Sequence, residues 1–110
     1  MPQLDLTGKT LTRPDFTRAN LNHSLMNNSH IINGNFTGAN LDNALLEDSE
    51  LVDAIMICVH MHGANLSRAT LHRADMHAAS LVGSIFVSAK MRNVIFFFAK
   101  SYGATLRGID

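Results

Sequence analysis

Residues 61–81 read MHGANLSRATLHRADMHAASL, and this stretch decides the fold. Its large apolar residues stand five apart, at Met61, Leu66, Leu71, Met76 and Leu81, and two residues before each of the last four stands an alanine: Ala64, Ala69, Ala74 and Ala79. Followed outward in steps of five, the first column runs from Leu6, Leu11, Phe16, Leu21, Met26, Ile31, Phe36, Leu41, Leu46, Leu51 and Met56 to Phe86, Met91, Phe96 and Leu106, and only Ser101 is not apolar. In a chain that is 46% hydrophobic, such a run arises by chance roughly once in a hundred thousand sequences, so the period is a property of the fold. The second column is small: Ala19, Ser24, Ser29, Gly34, Ala39, Ala44, Ser49 and Ala54 before the quoted stretch, Ser84, Ala89, Ala99 and Ala104 after it. Its exceptions are Leu4, Lys9 and Pro14 at the start, Val59 and Val94 within, and Ile109 at the end.

A period of five suits neither a helix nor a flat strand. Five steps of a 3.6-residue helix rotate by about 140°, which spreads the apolar column around the cylinder, and a period of two alternates it between faces. The chain must therefore turn a corner every five residues. Four corners close a square coil of twenty residues, with the large residue and the small one two before it both pointing inward; a larger side chain beside the turn would overfill the interior. Coils stacked at sheet spacing, about 4.8 Å, give a rod of roughly five coils on the order of 25 Å long.

Ala19-Asn20-Leu21, Ala39-Asn40-Leu41, Ala64-Asn65-Leu66 and Ala74-Asp75-Met76 resemble the A(D/N)LXX consensus of the pentapeptide-repeat proteins. The likeness covers residues 4–110. It implies an all-β fold, a right-handed quadrilateral β-helix, without a catalytic site. The spacing gives the square section and the resemblance gives the hand. One domain is expected over residues 1–110, with regular repeats over about 14–108.

Nine basic and nine acidic residues balance, so no long-range field draws the chain to nucleic acid or to an anionic membrane, and direct nucleic-acid binding is not expected. The longest purely apolar stretch, residues 94–99, is far too short to span a bilayer, and residues 1–20 lack the basic region and apolar run of a signal peptide. Cys58 alone allows no internal disulfide and fits a reducing compartment. The expected location is the cytoplasm.

Aligning the chain in steps of twenty shows which outward residues stack. Asp48 falls under Arg68 and Asp53 under Arg73, with Glu47, Glu50, Lys90 and Arg92 nearby, which reads as a solvated salt-bridge ladder. One side differs: Ile55, Ile57 and Cys58 lie two coils below Ile95, Phe97 and Phe98, with Asp75, His77 and Ala78 between them. Val82, Ile85, Val87 and Tyr102 occupy neighbouring sides near the same end. Outward Ile and Phe on a sheet face mark a partner surface, or else a cover for the open end. Ile55, Ile57, Cys58, Ile95, Phe97, Phe98 and Tyr102 are the candidate contact residues. The irregular opening, with Lys9 and Pro14, reads as an N-terminal cap. At the other end the pattern stops mid-repeat at Ile109-Asp110; either the chain belongs to a longer protein or that end docks, and end-to-end pairing of two copies is the simplest docking.

Little else suggests chemistry. His60 and His62 can share a strand edge over Asp42, but no third nitrogen or sulfur ligand falls in register, so no metal is expected. Cys58 has no orienting third group, the methionines of the apolar column fill the core, and no glycine motif opens a helix, so neither catalysis nor a cofactor is expected. The function expected is a non-enzymatic protein-interaction or scaffold module, since the repeat specifies a shape and leaves the task open. Two rivals come from the resemblance: some of these proteins mimic DNA, bind DNA gyrase and protect against quinolones, but they are longer, acidic and dimeric through a C-terminal helix; others are repeat domains of secreted bacterial effectors.

Overall fold

The computed structural model describes residues 3–110. Two short strands, β1 (Thr10–Thr12) and β2 (His30–Ile32), pair in parallel with Leu11 opposite Ile31. Elsewhere the ladder reduces to single parallel bridges, each joining a residue to the one twenty later: Asp5 to Leu25, Asn20 to Asn40, Glu50 to Thr70, Ile85 to Thr105. Because the offset never changes, the chain is a stack of twenty-residue turns, and no helix occurs among the described residues. The body measures 29 × 22 × 19 Å.

The corners follow from one repeated backbone event. Two residues after each central apolar residue, at every fifth position from Gly8 to Gly108, φ is positive, between 52° and 72°. One residue further on, the N–H closes a turn onto the carbonyl of the central residue, as Ala39 does to Phe36 (2.9 Å) and Ala69 to Leu66 (3.0 Å). A positive φ at the third turn residue alone defines a type II turn. Six of these corners are glycine; Arg, Asn, Asp and His occupy most of the others, at a local cost of about 1–2 kcal/mol per residue. That cost is offset by the stacking, because the same residue donates its N–H to the next coil, as Cys58 does to the carbonyl of His77 (2.9 Å).

Inside, Met26 to Phe86 along the central column are fully buried or nearly so. Like stacks on like: the rings of Phe16 and Phe36 lie 5.3 Å apart at 29°. Each buried Leu contributes about 1.5–3 kcal/mol relative to exposure. The small column is small for a measurable reason. A Cβ on Gly34 would stand 2.8 Å from Cγ2 of Ile31 and 2.9 Å from Cε2 of Phe36. Val59 is accommodated, fully buried, because its stacking neighbours are Ala39 and Ala79. Pro14 packs over Gly34, 3.5 Å from the same Cβ position, whereas Lys9 is exposed.

Two polar details support the turns. The hydroxyls of Ser29, Ser49 and Ser84, buried in the small column, donate to the carbonyls of Met26, Leu46 and Leu81 at 2.6–2.7 Å; that of Ser24 has no partner. The Asn or Asp before the central residue accepts the N–H two residues on, an Asx turn: Asn35 from Thr37, Asn40 from Asp42, Asn65 from Ser67, Asp75 from His77. This gives the D/N of the consensus its physical role.

Candidate protein-interaction surface

The outward residues differ around each twenty-residue turn, and one side holds Ile55, Ile57 and Cys58 on one turn, Asp75, His77 and Ala78 on the next, then Ile95, Phe97 and Phe98. Backbone pairing fixes this order. Asp75 bridges both Ile55 and Ile95, Cys58 donates to His77, and Ala78 donates to Phe97 at 2.7 Å. The two apolar rows are thereby held apart by a polar one. Asp75 turns its carboxylate to the N–H of His77 (3.0 Å), and the His77 ring lies 6.4 Å from that of Phe97 and 5.7 Å from that of Phe98.

Exposure is uneven along this side. Ile55 and Ile95 are each about 40% exposed and Ile57 is half-buried, but Phe97 and Phe98 are 70% and 83% exposed, and Tyr102, on the neighbouring side, is 86% exposed. Cys58 is exposed and free. Val82, Ile85 and Val87 are half-buried between coils. The apolar surface therefore concentrates on the last coil. Phe98 stands at a corner with φ 59°, a conformation a bulky residue adopts at a cost, so the position loads an aromatic ring outward against local preference.

The end of the stack adds a hollow of about 250 Å³ lined by Leu81, Phe96, Ala99, Ser101, Ala104 and Leu106, all inward-column residues. Ser101, the one polar residue of the central column, is exposed there.

The charged ladder forms as the twenty-residue alignment predicts. Arg68 donates from Nε and Nη2 to the two carboxylate oxygens of Asp48 (2.9 and 3.1 Å) and from Nη2 to Glu47 (3.0 Å); Arg73 makes the same fork on Asp53 (2.8 and 3.1 Å). The guanidinium hydrogen bonds hold the Asp48 and Asp53 carboxyls below the usual carboxylate range, and the carboxylates in turn push both arginines up. Hydrogen bonds from Thr7 and Thr17 do the same to Asp5 and Asp15. His30 meets Glu50 at 3.0 Å and Arg92 meets Asp110 at 3.1 Å. Among the described residues, Lys90, Lys100 and Arg107 enter no ion pair.

His60 and His62 do share an edge, with ring centroids 6.1 Å apart. His62 donates its N–H to Asp42 (2.8 Å), while its Nε2 meets the Ser80 hydroxyl. Among the described residues no three His, Cys, Asp or Glu side chains converge on a common point. No helix of the described residues is long and apolar enough to cross a membrane.

A family model of pentapeptide repeats, in eight copies, matches residues 35–73 and 60–96. No curated protein matches the sequence. Among solved structures, the chain is similar to QnrB1, a plasmid-mediated fluoroquinolone resistance protein, at 11% identity over 93% of this chain and 72% of that one, with a TM-score of 0.62. It is also similar to HetL, a pentapeptide repeat protein involved in heterocyst differentiation regulation in Nostoc sp. strain PCC 7120, at 21% identity and a TM-score of 0.51. That match covers all of this chain and 60% of HetL. At such identities the likeness shows the fold alone.

Proposed function

The chain belongs to the pentapeptide-repeat family, and on that premise we propose that it is a non-enzymatic protein-interaction or scaffold module, a right-handed quadrilateral β-helix of about five coils. Its working surface is the Phe97, Phe98 and Tyr102 end of the apolar side. The observation that carries this reading is the exposure of those three rings, 70–86%, on a fold whose other outward positions are mostly polar or half-buried. Exposed aromatic clusters of this kind cost solubility and are kept where a partner covers them. Ile55, Ile57 and Cys58, two coils lower and beyond Asp75 and His77, form the edge of that surface. A cytoplasmic protein with its single thiol free fits this role, and pairing of two copies through the hollow end is compatible with it.

A gyrase-directed DNA mimic, the rival reading, needs a continuous negative face. Here five acids crowd residues 41–60, but Asp48 and Asp53 are each forked by an arginine, and residues 68–107 hold six cations against one acid, Asp75. Inhibition of gyrase supercoiling by micromolar protein would restore that rival.

The test compares affinity capture from the source lysate by the wild type and by a Phe97→Ser/Phe98→Ser variant, with light scattering on both. Loss of a specific partner, or of a dimer, from a variant with an unchanged melting curve supports the proposal. Identical captures and identical mass would overturn it.

A further inference from the structure

Every junction between coils of this rod has a direction. In each five-residue step the earlier coil donates two N–H groups to the later one and accepts one in return: Met56 and Cys58 donate to Asp75 and His77, while Asp75 donates to Ala54. Leu66 and Arg68 donate to Ile85 and Val87 in the same way, and Ile85 donates to Ala64. The two ends inherit this imbalance with opposite sense. On the C-terminal face, the N–H groups of Phe96, Phe98, Ser101, Gly103, Leu106 and Gly108 and the carbonyls of Val94, Ala99 and Ala104 have no backbone partner among the described residues, two donors to each acceptor. On the N-terminal face it is the carbonyls of Asp5, Thr7, Asp15 and Thr17 and the N–H groups of Asp5 and Asp15, two acceptors to each donor. Both faces also open the apolar interior: Phe96 and Leu106 are 39% and 44% exposed at one end, and Leu4 is 41% exposed at the other. We propose that the C-terminal face takes the N-terminal coil of a second copy, so that copies of this chain stack head to tail as one continuous rod.

Backbone complementarity selects this occupant. Between unlike faces, two N–H groups meet two carbonyls and one carbonyl meets one N–H in every step, which repeats the junction inside the molecule. Two C-terminal faces would instead set four donors against two acceptors in each step, and the surplus N–H groups would be covered without a carbonyl of their own, at the cost of an unmade hydrogen bond. Lys9 is the exposed cation of the small column on the N-terminal face, and its long stem lets the ammonium reach solvent beside the joint. A joint of unlike faces uses one face of each copy and leaves the other open, so a straight stack adds further copies and does not close. The area is small. The two shorter dimensions of the body, 22 × 19 Å, give roughly 400 Å² per copy, below what a stable dimer buries, so assembly is weak and rises with concentration. The joint lies at the end of the rod, apart from the side chains of Phe97, Phe98 and Tyr102, and its failure would leave the proposed interaction surface standing.

The experiment measures mass by sedimentation equilibrium over a concentration series, for the wild-type chain and for two variants that each block one face. Ser101→Arg/Leu106→Arg blocks the C-terminal end and Leu4→Arg the N-terminal end. All three positions are exposed, so both variants should keep the wild-type melting curve, while an arginine there is too bulky for a joint about 4.8 Å deep. The wild-type mass is expected to rise with concentration past the dimer. Each variant alone should stay monomeric, and the two mixed in equal amounts should form a dimer and nothing larger. If the wild-type mass stops at the dimer, or Leu4→Arg still dimerises by itself, like ends pair and the inference fails. A wild-type chain that stays monomeric at its highest soluble concentration overturns it too, and the wild-type series decides the matter even where a variant unfolds.

Discussion

The coils spanning residues 41–80 and the coil that follows them use the same backbone for opposite ends. In the middle, every central and small-column residue from Leu41 to Ala79 is buried, and both arginines are forked onto aspartates one coil below. On the last coil, Phe96 of the same inward column is 39% exposed, Phe97 and Phe98 point outward, and of its cations Arg92 pairs with Asp110 while Lys100 and Arg107 face solvent without a counter-charge. The backbone hydrogen bonds are continuous across both, with Ala78 to Phe97 at 2.7 Å and Thr105 to Ser84 at 2.9 Å. Regular pairing alone therefore does not make a surface inert. What distinguishes the two regions is how much large apolar side chain they leave uncovered.

The largest expected effect separates two residues of one column. Leu66→Asp places an unpaired charge in the closed core and should cost several kcal/mol, abolishing cooperative unfolding. Ser101→Asp, at an exposed position of the same column, should melt within a few degrees of the wild type. Equal melting curves by circular dichroism would erase the contrast between middle and end.

Next comes steric room. Gly34→Ala, with a Cβ contact of 2.8 Å to Ile31 and 2.9 Å to Phe36, should lose about 1–3 kcal/mol in urea unfolding. Gly83→Ala has no atom closer than 3.8 Å and pays only for its positive φ of 69°, about 1–2 kcal/mol. A cost at Gly83 above that at Gly34 would show that the corner, and not the interior, limits the repeat.

Smaller still is a serine pair. Ser49→Ala removes the buried hydrogen bond to Leu46 and should cost about 1 kcal/mol. Ser24→Ala removes a hydroxyl with no partner and should be neutral or slightly stabilising. The smallest effect is expected at the ladder. Asp48→Ala should leave Tm almost unchanged at neutral pH, because the pair is exposed. The pH dependence has a definite sign. The Asp48 and Asp53 carboxyls lie below their ordinary value of 3.8, so their small contribution is complete above that pH and is lost as pH falls through the lower folded value. Acid titration of Tm should show the wild type losing more than Asp48→Ala in that window.

Much of this was legible without coordinates. The step of five set the buried columns, and the step of twenty placed Asp48 under Arg68 and Asp53 under Arg73, since parallel stacking admits only that register. The same alignment would set Asp110 over Lys90; the structure instead pairs Asp110 with Arg92, because guanidinium reach decides among neighbours once they share an edge. Sequence reasoning grouped Ile55, Ile57 and Cys58 with the phenylalanines. It already placed Asp75, His77 and Ala78 between them, and the backbone pairing keeps that order; what the alignment did not carry is that Ile57 is half-buried. The unpaired state of Lys100 and Arg107 could have been read from the non-acidic residues below them, Ser80 and Val87, had cations been followed as closely as apolar positions.

By itself, then, the sequence determined the period, the inward columns and the register, because each is a repeated local choice that adds up along the chain. Three things were decided only by tertiary structure: the hydroxyl partners of the buried serines, the carbonyl and amide geometry of the corners, and the exposure that turns Phe97, Phe98 and Tyr102 into a surface. Each depends on what the neighbouring coil brings within a few ångströms, and spacing along one chain does not carry that information.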